Sequence, residues 1–136
     1  MPIALTDDHR SLAETVGDFL RKHDSRAAAR ALLESAEEPL PSFWKELTSL
    51  GWLGLHIDEE YGGSGYGLPE LVVVVEETGR GIAPGPFVPT VTASAIIAAT
   101  GDDATRKQLL PGLADGSTFG AVALGGSVES RDGALT

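Results

Sequence analysis

The chain has 136 residues and a formal charge of −10, from ten Lys plus Arg against twenty Asp plus Glu. That charge opposes binding to nucleic acid or anionic membranes, and the one basic cluster, "RKHDSRAAAR", is too sparse to form a binding stripe. With no cysteine in the sequence, a disulfide framework, a thiol nucleophile and a Cys-ligated metal are excluded.

The opening "MPIALTDDHR" has neither a positive start nor an apolar stretch, so it does not read as a secretory signal. The longest apolar run, "LVVVV", is too short to span a bilayer. A soluble cytoplasmic protein is the default expectation. The spacing predicts a first helix from Thr6 to about His23, capped by Thr6, with Asp7 and Asp8 at its positive end. Leu12, Val16, Phe19, Leu20 and His23 share one side of it. A short alanine-rich helix follows Asp24 or Ser25 and stops before Pro39, with Ala29, Leu32 and Leu33 as its expected contacts.

"LPSFWKELTSLGW" predicts a third helix, started by Pro41 or Ser42 and stopped at Gly51. Phe43, Leu47 and Leu50 recur at helical intervals, with Trp44 beside that face. "LGLHIDEEYGGSGYG" then reads as loop. The next segment, "PELVVVVEETGRG", sets two signals against each other. Four valines favour a strand, whereas Pro69 suits a first helical turn and Leu71, Val74, Val75 and Thr78 keep helical spacing. A helix is expected, apolar nearly all round and therefore buried.

Prolines confine "GIAPGPFVP" to an ordered or extended connection. "TVTASAIIAATG" predicts a fifth helix ending at Gly101. "DDATRKQLLPGLADG" predicts a sixth, capped by Asp102 or Asp103, anchored by Leu109 and Leu110 and ended by Pro111. After Gly116 the character changes. "STFGAVALGG" reads as a strand, and Asp132-Gly133 is a hairpin turn signal. The expected fold class is all-α: about six helices over residues 1–116, followed over 117–136 by a truncated β-hairpin that opens an incomplete β domain. A hairpin alone is marginal in water, so the rest of that sheet is expected from outside these residues.

Little self-contained chemistry is visible. Gly63, Gly65 and Gly67 alternate, which breaks the G-x-G-x-x-G spacing of a dinucleotide loop, and no P-loop lysine follows. Two tyrosines argue against a flexible linker, leaving a tight ordered turn as the expectation. His9, His23 and His56 have no partner at metal-ligand spacing. Ser117, Ser127 and Ser130 lack a nucleophile elbow. The acidic pairs, such as Glu59-Glu60 and Glu76-Glu77, read as solvated faces or caps.

The order of elements and several motifs resemble the N-terminal part of the acyl-CoA dehydrogenase family. The resemblance covers nearly the whole chain: "LTDDHRSLAETVGDFLRKH", then "FWKELTSLGWLGLHIDEEYGGSGYGLPELVVVVEETGR", then "GDDATRKQLLPGLADGSTFGAVAL". It implies a three-domain flavoprotein: an α domain, a middle β domain and a C-terminal helical domain. FAD lies between the last two. The implied reaction is α,β-dehydrogenation of an acyl-CoA, fatty or steroid, with a glutamate base and hydride transfer to the flavin. That base belongs to the C-terminal domain, so no catalytic residue is named here, and 136 residues alone are expected to be inactive.

The resemblance implies that the N-terminal domain contributes walls of the acyl pocket. Tyr61, Gly62, Gly63, Gly65 and Pro69 are the substrate-binding candidates. The family's flavin-contacting strand usually reads Ala-Leu-Thr-Glu-Pro. Here "ALGGSVES" places Ala123, Leu124 and Gly125 as cofactor-binding candidates. Gly125 and Gly126 stand where threonine and glutamate would be, which removes a hydroxyl hydrogen bond to flavin. Implied partners are the acyl-CoA substrate, an electron-transfer flavoprotein and further subunits in a homo- or hetero-oligomer, dimer or tetramer. Two other readings stand beside this one: a non-catalytic partner subunit of a heteromeric dehydrogenase, and a generic helical interaction domain.

Overall fold

The computed structural model describes residues 5–125, 130–131 and 134–135. Among the described residues six α-helices follow one another: α1 (Asp7–Lys22), α2 (Ser25–Leu32), α3 (Trp44–Ser49), α4 (Leu68–Arg80), α5 (Phe87–Thr100) and α6 (Asp103–Asp115). Two single 3₁₀ turns, Trp52–Gly54 and Glu59–Tyr61, lie between α3 and α4.

α1 starts where expected. The Thr6 hydroxyl accepts the His9 amide, and the His9 ring accepts the Thr6 amide, so two orphan donors of the first turn are satisfied. Val16, Phe19 and Leu20 are buried against α4, α3 and the first 3₁₀ turn, with Phe19 edge-on to both Phe43 and Trp52. α2 docks through Ser25, whose hydroxyl donates to the Gly81 carbonyl at 2.7 Å. Its core contact is Ala28, while the expected contact Leu33 is 85% exposed. Leu33 keeps helical backbone angles at the C-cap, and five residues on from Ala28 it falls about 140° round the helix, on the outer face.

In α3, Phe43, Trp44 and Leu47 are buried, but Leu50 lies on the rim, half exposed. α4 is a helix despite its four valines, with Pro69 in its first turn and a Glu70 carboxylate accepting the Gly67 amide. It is not buried all round: Val73 and Val74 face inward, whereas Val72 is 52% exposed. α5 begins at Phe87, three residues before the expected start at Thr90. Pro89 falls at its third position, where a helix needs no N–H.

α6 does not stop at Pro111 but runs on to Asp115 and Gly116. Leu110, Leu113 and Ala114 are buried on both sides of the proline. Their packing offsets the lost hydrogen bond and ring clash, a cost of about 3 kcal/mol. Leu109, the other expected anchor, is partly exposed. Two core clusters result. The larger joins α1, α3, α4 and α5 around Val16, Leu47, Leu53 and Val74. The smaller joins Ile57 and Tyr61 to Leu110 and Ala114 of α6.

Residues 117–125 form no ladder, although a strand was expected there. Among the described residues the only pairing is between β1 (Ser130–Arg131) and β2 (Ala134–Leu135), antiparallel, with Arg131 opposite Ala134. That register leaves two residues between the strands. The expected Asp132-Gly133 turn itself lies outside the described residues.

Candidate functional site

The glycine-rich loop is closed by its own backbone. The Ser64 amide donates to Gly54, the Gly65 amide to Ile57 and the Tyr66 amide to Leu55, all within 2.8 to 2.9 Å. Gly62 and Gly65 have φ of +84° and +67°, a region that favours glycine. At Gly63 the constraint is space, since a Cβ would overlap the Ile57 carbonyl. The loop's amides are therefore consumed internally and do not form an open cradle for a phosphate.

Tyr61 turns away from solvent towards α6. Its ring is buried beside Leu110 and Ala114, and its hydroxyl donates to Asp103 Oδ1 at 3.4 Å. Gly62, Gly63 and Gly65 form one tight turn, and Pro69 is exposed at the start of α4. The five candidates thus frame the junction between loop and α4 and do not converge on one cavity. A pocket of about 500 Å³ lies beside the loop, with a floor of Leu12, Trp52 and Leu55 and a polar rim that includes His9, Tyr66 and Glu70.

His56 sits between the loop and α5, its Nε2 3.0 Å from Ser94 Oγ. The Ser94 hydroxyl donates to the Val91 carbonyl, so it accepts the Nε2 proton. Burial pushes the His56 pKa below its ordinary 6.5.

The more open surface is a groove of about 410 Å³ between α4 and α5. Val72, Val75, Val88, Ala95 and Ile96 line it, with hydroxyls only from Thr92 and Thr100 and no charged side chain. In a chain of charge −10, an uncharged groove suits an apolar occupant. The sequence hid it because Val72 and Val75 read as interior residues of α4. Small residues repeating along α5 at Ala95 and Ala99 were the available signal.

Among the described residues no cluster of three or more His, Asp or Glu could hold a metal, and no helix is long and apolar enough to cross a membrane. A family model described as "Acyl-CoA dehydrogenase, N-terminal domain" matches residues 6–117. The chain belongs to the acyl-CoA dehydrogenase family.

Among its relatives is the acyl-CoA dehydrogenase IpdE2 of Mycobacterium tuberculosis, 38% identical over 120 residues, which cover 87% of this chain and 37% of that protein. The mitochondrial isovaleryl-CoA dehydrogenase of Pongo abelii is 33% identical over 125 residues, covering 88% of this chain and 29% of the relative. A variant of the Tcur3481-Tcur3483 steroid ACAD has a similar structure, with a TM-score of 0.71 at 35% identity over 85% of this chain and 32% of that one. The chain therefore spans about a third of the length of these proteins.

The segment after α6 carries the three cofactor-binding candidates. Ala123, Leu124 and Gly125 are exposed. Among the described residues no main-chain hydrogen bond engages 121–125. To a flavin these three residues could offer only main-chain atoms and aliphatic side chains. Gly125 has φ of +112°, a conformation that the family's threonine would avoid.

Proposed function

We propose that this chain is the N-terminal domain of a flavin-dependent acyl-CoA dehydrogenase and forms one apolar wall of the acyl site. The uncharged α4–α5 groove carries this reading, because an acyl chain needs a dry, shaped surface and no charged side chain lines this one. Val72, Val75, Val88, Thr92, Ala95 and Ile96 would contact the acyl chain and exclude water. Tyr61, Gly62, Gly63, Gly65 and Pro69 would act on that wall by fixing where α4 begins.

No proton-transfer step is assigned to this chain. Glu76 and Glu77 pair with Arg80, and no carboxylate lines the groove. The glutamate base would come from elsewhere in the assembled enzyme. FAD, when bound, supplies acceptance of the hydride from the β-carbon, and Ala123, Leu124 and Gly125 would meet it through main-chain atoms. Oligomer assembly and electron delivery to an electron-transfer flavoprotein follow from the same reading. The small side chains of Thr92, Ala95 and Ala99 favour a wide acyl group, and one structural neighbour is a steroid ACAD variant.

The test is acyl-CoA oxidation by the flavin-loaded protein containing this chain. Ala95→Phe should raise KM for a bulky acyl-CoA by roughly tenfold through overpacking, and spare a short one. Equal KM values for both substrates in wild type and variant would remove the groove from the acyl site. A second reading, a non-catalytic subunit, is favoured by the Gly125 backbone. It expects no yellow flavin band unless a partner chain supplies the cofactor site.

A further inference from the structure

The chain leaves the helical domain through a grip that the expected strand did not foreshadow. The Thr118 amide donates to the Gly112 carbonyl at 2.9 Å. The Phe119 ring lies edge-on to Trp44, centroids 5.8 Å apart. The Gly120 amide then donates to Thr90 Oγ1 at 3.2 Å. A Cβ at Gly120 would stand 2.5 Å from that of Ala93, so only glycine allows the backbone this close to α5.

Thr90 is fully buried in α5. Packing alone would be met by valine, which has the same shape. The hydroxyl instead serves a partner 30 residues away in sequence. Beyond Gly120 no main-chain hydrogen bond holds residues 121–125 among the described residues. Gly120 is the last anchored point before Ala123, Leu124 and Gly125, and five residues of chain reach at most about 17 Å. A shift at the grip would move the start of that segment.

We propose that Thr90 and Gly120 are positioning residues for the cofactor: their hydrogen bond and close approach set the path of residues 121–125. This rests on the flavoprotein reading above. Neither residue touches the flavin in this scheme.

The experiment uses the flavin-loaded protein containing this chain, with Thr90→Val, Thr90→Ser and Gly120→Ala. Readouts are FAD dissociation, the visible circular dichroism of bound flavin, and the melting curve. Thr90→Val should release FAD about three- to tenfold more readily, the scale of one hydrogen bond, and change the visible spectrum. Thr90→Ser, which keeps the hydroxyl, should restore both. If Thr90→Val does not fold, Gly120→Ala is the decisive variant: it should loosen FAD, and adding Ala93→Gly should recover it by removing the opposing Cβ. Wild-type FAD retention and spectrum in Thr90→Val and Gly120→Ala would overturn the positioning role alone. So would a Thr90→Ser protein indistinguishable from Thr90→Val. A colourless wild-type assembly would overturn the flavoprotein reading and this inference together.

Discussion

His9 and Glu70, 61 residues apart in sequence, join the first turns of α1 and α4 through a contact of 3.1 Å. His9 Nδ1 accepts the Thr6 amide, so its Nε2 carries the proton that it donates to Glu70 Oε1. The other oxygen of Glu70 accepts the Gly67 amide at 2.9 Å. One imidazole and one carboxylate therefore complete two helix caps, and the His9 hydrogen bond holds the Glu70 carboxyl below its ordinary 4.5. The single variants His9→Ala and Glu70→Gln should each cost about 1 kcal/mol in urea unfolding. Their double variant should cost less than the sum. Strict additivity would mean that the two caps are independent.

His56 gives stability a dependence on mild acid. Burial lowers its pKa in the folded chain below the ordinary 6.5, so the unfolded chain takes up the proton first as pH falls. Its contribution is complete above that ordinary value and is lost as pH falls through it towards the folded value. Between about pH 7 and about pH 5, His56→Gln should flatten the decline in unfolding free energy. Equal slopes for the variant and the wild type would show that His56 is not the group responsible.

Two glycines should respond in opposite ways to alanine. Gly63→Ala forces a methyl into the Ile57 carbonyl and should destabilise the chain by several kcal/mol or prevent folding, as a buried overlap does. Gly79 lies in α4 with nothing near its missing Cβ, so Gly79→Ala should stabilise by about 0.5–1 kcal/mol. Thermal melts of both variants settle the contrast.

The α4–α5 groove predicts a separation of stability from function. Val72 and Ile96 are both about half exposed on its walls. Ile96→Lys should leave the melting temperature of this chain within a few degrees of wild type, because surface substitutions are usually within about 0.5 kcal/mol. It should lower binding of an apolar dye to the chain and weaken acyl-CoA binding in the flavin-loaded protein. A large loss of stability would place Ile96 in the core instead.

Helix existence was legible because the cues were local. Thr6 with two aspartates, Asp102, and Pro69 followed by spaced apolar residues each announce a helix start, and all three start helices here. Where tertiary packing decides, the sequence was a weaker guide. Pro111 carries a penalty visible in one dimension, but the burial of Leu113 and Ala114 beyond it is visible only in three. Val72 carries the same hydrophobicity as Val74, yet one faces out and the other is fully buried. For the candidate site, the tight glycine turn followed from composition. The contact of Tyr61 with α6 and the Thr90–Gly120 grip did not, because each joins residues far apart in the chain.

The self-closed glycine loop also sets where this domain can vary in length. The amides of Gly63, Ser64, Gly65 and Tyr66 are matched to the carbonyls of Asp58, Gly54, Ile57 and Leu55, so an added or deleted residue would mismatch the whole set. The connector over residues 34–40 is exposed throughout, and spare chain there would cost little beyond loop entropy. Insertions and protease cuts should therefore collect in the plain connector, and the stretch that looks floppier on paper should keep a fixed length.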